Sequence, residues 1–158
     1  MIKKTAILGF GNPVRADDGV GIYVIEELKK QIGQKEEISI FDMGTSAFEI
    51  LFKLKGHERI ILIDAVINSN EPVGTTFKLP ASEVEGQIED DPLVFLHSLK
   101  WNQALSYAKK MLQDEYPENI DVYLIAIDST KFNVGMSDEA IKGGDKIVEV
   151  VLNDLMLN

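Results

Sequence analysis

The chain has 158 residues, 45% of them hydrophobic, with a formal net charge of −10 and a sequence pI near 4.6. That length suits a single domain over residues 1–158 with a core of its own, and the acidity argues against nucleic acid or an anionic membrane surface, both of which call for clustered Lys and Arg. The lack of cysteine excludes disulfides, thiolate metal sites and a cysteine nucleophile at once.

In chain order, Lys3 and Lys4 precede only the short apolar run TAILGF. This is too brief for a signal sequence, and no segment has the length of a membrane span, so a cytoplasmic protein is expected. TAILG (5–9) reads as a buried strand. Val20, Val24, Leu28 and Ile32 then recur every four residues among Glu and Lys, which predicts an amphipathic helix ending near Gly33. ISIFD (38–42) is a second strand. Ser46 and Glu49 have the spacing of a capping box, so a helix is expected from there through ILFKLK to Gly56. RIILID (59–64) is the most apolar strand and the expected centre of the sheet.

GTTFKL (74–79) reads as a further strand, and the acidic stretch 80–92 as a surface loop. A helix is predicted over 97–113, a strand over DVYLIAI (121–127), and a last helix capped by Ser137 with Asp138 and Glu139 in its first turn. The order β-α-β-α-β-β-α-β-α predicts an α/β fold. Its form is a three-layer α/β/α sandwich around a mixed, mostly parallel sheet of about five strands. Ligands of such sheets lie outside the carboxyl ends of the strands.

The loop after the first strand, GFGNPVRADDGVG (9–21), is rich in glycine yet carries Asp17 and Asp18 side by side. The dinucleotide fingerprint fails, because Val14 stands where the third glycine belongs, and the P-loop lysine is absent. Two carboxylates would also repel a phosphate. One Asp before a helix is commonly an N-cap, which leaves a second carboxylate as a candidate cation ligand. Asp64 ends the third strand, where it either accepts local backbone hydrogen bonds or serves the site. Of the two histidines, His57 falls between helix and strand at the opposite end of the sheet and reads as a solvated loop residue. His97 stands at the head of a helix, where a lone His is ordinarily structural. Asp18, Asp64 and His97 nevertheless share one predicted rim. Two carboxylates and an imidazole suit a borderline divalent ion such as nickel or zinc.

Taken in order, GFGNPVRADDGVG, DMGTSAFEIL, IILIDAV, FLHSLKW and VGMSDEAIKGGDKIVEVV resemble the blocks of the hydrogenase maturation proteases, which trim the large subunit of nickel–iron hydrogenases. The resemblance runs almost end to end. It implies an endopeptidase that removes a C-terminal extension from a large-subunit precursor already loaded with nickel. It implies that Asp18, Asp64 and His97 are both the metal-binding and the catalytic residues. It further implies that the nickel is carried by the substrate, and that Asn12, Asp17, Asp42, Gly44 and Thr45 border the substrate cleft. Within the loop, Asp17 is expected to cap or brace the helix while Asp18 faces the cation. Met43 departs from a Gly common in the second block, and Asp128 and Ser129 stand near a position that often holds Pro. Without cysteine or a G-x-S-x-G elbow, no covalent nucleophile is evident. Two other readings stay open at this point: a metal-dependent amidase or peptidase of different specificity, and a non-enzymatic Rossmann-like nucleotide-binding module.

Overall fold

The computed structural model describes residues 4–12, 16–67, 69–84, 100–128 and 136–156. Strands β1 (Thr5–Phe10), β2 (Ile38–Gly44), β3 (Arg59–Val66), β4 (Thr76–Pro80) and β5 (Asn119–Ala126) form one sheet in the order β2-β1-β3-β5-β4. All pairings are parallel except β4 with β5, which is antiparallel and closes one edge. Among the described residues the α-helices are α1 (Val20–Ile32), α2 (Ile50–Lys53), α3 (Trp101–Leu112) and α4 (Asp138–Met156). The mixed α/β sandwich expected from the sequence is therefore the observed fold, with β3 at its centre.

Strand parity divides the core in two. Ala6, Leu8, Ile60, Leu62, Val122 and Leu124 face one side and pack with α2 and α3. Ile7, Ile61, Ile63, Tyr123 and Ile125 face the other and pack with α1 and α4. Alternate residues of a strand point to opposite faces, and a strand covered on both faces must be apolar throughout. Ile60 to Ile63 satisfy this, all of them essentially inaccessible. Each such side chain stabilises the fold by roughly 1.5–3 kcal/mol through burial. The same parity continues to Asp64, which follows Ile60 and Leu62 onto the α2–α3 side.

α1 lies unusually close to β1. A Cβ on Gly21 would come 2.0 Å from the carbonyl oxygen of Phe10, so only glycine permits the approach. α1 ends at Gly33, whose N–H donates to the carbonyl of Lys29 at φ 68°, as its sequence position suggests.

Three expectations need correction. The capping box at Ser46 does not form: Ser46 has φ −95° and ψ 85° and makes no side-chain cap bond. The helix predicted to run to Gly56 is instead a 3₁₀ turn over Ala47–Glu49 followed by a single α turn. The buried residues Ala47, Ile50 and Leu54 explain this. The first interval is three residues, which a 3₁₀ turn places on one face, and the second is four, which an α turn does. Tertiary packing thus sets the winding. Third, His57 is partly buried rather than solvated, and its Nδ1 bonds the Lys53 carbonyl at 2.9 Å. Burial pushes its pKa down. It does lie at the far end of the sheet, since the adjacent Glu58 N–H donates to the Lys4 carbonyl just before β1. Of the helix predicted over 97–113, residues 97–99 lie outside the described residues, as do residues 85–92 of the acidic loop. Among the described residues, no helix is long and apolar enough to cross a membrane.

Candidate active site

In the strand order, β1 is flanked by β2 and β3, so the connection from β1 to β2 and the next, from β2 back past β1 to β3, run in opposite directions along the sheet. A crevice opens at such a switch point, outside the carboxyl ends of the strands. A cavity of about 450 Å³ lies there, lined among others by Gly11, Asp18, Gly44, Thr45, Asp64 and Trp101.

The first wall is the loop after β1. A 3₁₀ turn over Ala16–Gly19 packs against β3 and brings Asp18 to the cavity. Ala16 enters this turn at φ 50°, a conformation costly to any residue with a Cβ. Gly11 is what lets the turn close. Its own Cβ would lie 2.5 Å from the Asp18 carbonyl, and the Asn12 N–H donates to that same carbonyl at 3.2 Å. Gly11, like Gly21, therefore serves close backbone approach within the protein.

Asp17 and Asp18 diverge. The Asp17 carboxylate accepts the Ser137 N–H at 2.7 Å and the Ser137 hydroxyl at 2.8 Å. Ser137 Oγ in turn accepts the Ala140 N–H at 3.2 Å and so caps α4. Asp17 braces a helix, as expected, but it is the last helix and not the one that follows it. It does not border the cavity, and neither does Asn12 through its side chain.

The second wall is the end of β2. The exposed Asp42 accepts the Gly44 N–H at 2.9 Å, bending the chain so that Gly44, at φ 55°, and Thr45 face the cavity. The Gly11 N–H donates to the Gly44 carbonyl at 2.9 Å and joins the two loops. Asp42 shapes this wall without lining it.

The third wall is Asp64. Its Oδ1 accepts the Ala65 N–H at 2.7 Å, and its Oδ2 accepts the Trp101 Nε1–H at 2.8 Å. Burial pushes its pKa up to about 7, the two hydrogen bonds oppose that, and the negative charge of Asp18 adds to the rise. Two carboxylates thus face one cavity, and the charge of Asp18 raises the cost of ionising Asp64, an arrangement that a cation would relieve. Among the described residues no group of three or more His, Cys, Asp or Glu converges on one point. His97 lies outside the described residues.

Sequence reasoning missed Trp101, Lys100 and Asn102, all at the cavity where α3 begins. The available signal was an aromatic donor at the start of a helix, just after the His97 block. The two rim carboxylates also leave this crevice ill suited to phosphate, so the nucleotide-binding alternative finds no support.

A sequence-family model described as HycI, hydrogenase maturation protease, matches residues 22–154. The Hydrogenase 2 maturation protease of Escherichia coli K12 is 23% identical over 134 residues, covering 85% of this chain and 79% of that protein. A Methanocaldococcus jannaschii protein provisionally named a hydrogenase maturation protease is 28% identical over 161 residues, 97% of each chain. Among solved structures, the hydrogenase maturating endopeptidase HybD from E. coli is similar with a TM-score of 0.78 at 22% identity, covering 97% of this chain and 92% of its own. At that identity the likeness speaks for the fold.

Proposed function

This chain belongs to the hydrogenase maturation protease family, and on that premise we propose that it removes the C-terminal extension of a nickel–iron hydrogenase large-subunit precursor once the precursor carries nickel. The observation that carries this reading is the pairing of Asp18 and Asp64 in one cavity at the strand ends. Carboxylates suit a divalent cation, and imidazole extends the donor set toward nickel. His97 joins them in the proposal from its place in the sequence, four residues before Trp101.

The nickel is part of the substrate. Asp18, Asp64 and His97 dock against it and so bring the neighbouring peptide bond into the cavity. Positioning of this kind converts substrate recognition into rate. A nickel ion beside the scissile carbonyl can polarise it. A water then needs a base. One of the two rim carboxylates, Asp18 or Asp64, would accept its proton. Gly44 and Thr45 border the path of the peptide, and Asp42 fixes the turn that presents them. Asp17 and Asn12 hold the first loop in shape. In this reading the reaction takes place in the cytoplasm, on the nickel-loaded precursor.

The test uses purified Asp18→Ala, Asp64→Ala and His97→Ala variants with a nickel-loaded precursor, followed by intact mass. Loss of the mass step in each variant is expected. Cleavage at the wild-type rate by any one of them removes that residue from the site. Cleavage of unrelated peptides would favour the general peptidase instead.

A further inference from the structure

Both oxygens of Asp64 have a fixed donor, and the two donors differ in kind. The Ala65 N–H belongs to the same strand and would follow Asp64 wherever β3 goes. The Trp101 Nε1–H comes from the first residue of another element, 37 positions away. It is the contact that ties the carboxylate to the opposite wall of the cavity. The indole is itself held, because Trp101 packs against the buried cluster of the α2–α3 face. An indole N–H can only donate. Its partner oxygen must therefore present a lone pair to it, which fixes the rotation of the carboxylate about its last bond. The remaining lone pairs then have a set direction.

We propose that Trp101 is the positioning residue for Asp64, fixing the plane of its carboxylate so that it meets substrate in one orientation. The proposal rests on Asp64 being a working group of the site. Donors behind a ligating or reacting carboxylate commonly matter almost as much as the carboxylate itself, and their loss costs about 10–100-fold in activity or metal affinity.

Trp101 is the only tryptophan in the chain, so its spectroscopy is free of overlap. The ultraviolet resonance Raman band that reports indole N–H hydrogen bonding is measured in the wild type and in Asp64→Ala. A hydrogen-bonded band in the wild type that shifts in Asp64→Ala is expected; an unchanged band overturns the proposal. In cleavage of nickel-loaded precursor, Trp101→Phe removes the donor and keeps an aromatic ring. It should lower kcat by about 10–100-fold with KM little changed. A wild-type kcat overturns the proposal. If Trp101→Phe does not fold, a chain carrying 3-benzothienylalanine at this position keeps the shape without the N–H, and the same two outcomes apply. If the wild type cleaves no precursor, the proposed function falls, while the Raman band still decides whether Trp101 holds Asp64.

Discussion

Asp17 and Ser137, 120 residues apart, are joined by two hydrogen bonds of 2.7 and 2.8 Å from the backbone N–H and hydroxyl of Ser137 to the Asp17 carboxylate. This latch fastens the turn that carries Asp18 to the start of α4. Asp17→Ala strips both bonds and leaves two donors without their partner. A loss of about 1–3 kcal/mol in urea unfolding is expected. Ser137→Ala should overlap with it in a double-mutant cycle, since both break one network. Strict additivity would mean that the latch is not a unit. Precursor cleavage should also slow in Asp17→Ala, through displacement of its neighbour Asp18.

Gly11 gives a second handle on Asp18. An alanine Cβ there would stand 2.5 Å from the Asp18 carbonyl, so the 3₁₀ turn has to move. Overpacking of this sort costs about 1–3 kcal/mol. Gly11→Ala is expected to stay folded by circular dichroism yet lose most of its cleavage rate. A variant with full activity would show that the placement of the turn is not critical.

The pH dependence of stability follows from Asp64. Its pKa is about 7 in the folded chain, chiefly through burial, and lies in the ordinary carboxylate range when unfolded. Below about pH 4 both states bind the proton; between about pH 4 and 7 only the folded state does. Asp64 therefore contributes stability at low pH that is lost as pH rises through 7. In the metal-free protein, the stability of Asp64→Asn relative to wild type should climb over this window and level off above it. Denaturant midpoints at several pH values measure this, and a flat difference would contradict a carboxyl whose burial outweighs its two hydrogen bonds.

A network on the other face behaves oppositely. Asp154 on α4 accepts hydrogen bonds from Tyr123 and, at 3.1 Å, from Lys78. Burial raises the Asp154 pKa, but these bonds outweigh it and hold the carboxyl below its ordinary value. Its contribution is present above the unfolded-state pKa and is lost as pH falls through the lower folded one. Asp154→Asn should be less stable than wild type at neutral pH, with the gap closing in acid. A gap that persists unchanged in acid would assign the effect to packing.

Much of the candidate site's lining was legible because strand ends are legible. The run Ile60–Ile63 marks β3 as central and so places Asp64 at the crevice, and the glycine loop places Asp18 beside it. The division of labour between Asp17 and Asp18 was only half visible. The doubled acid signals two roles, but nothing local names Ser137 as the partner, because a contact across 120 residues is made by the fold. Trp101 stayed hidden for the same reason: its ring packs like any core aromatic, and only three-dimensional placement turns its N–H toward Asp64. The short α2 defeated a sound capping signal at Ser46, since burial of Ala47, Ile50 and Leu54 outweighs one cap bond.

If the two rim carboxylates read nickel carried by the substrate, cleavage depends on that nickel. The intact mass of a large-subunit precursor incubated with the wild-type chain, once loaded with nickel and once free of it, tests this. The C-terminal extension is expected to be lost from the nickel-loaded precursor alone. Equal cleavage of the nickel-free precursor would contradict it.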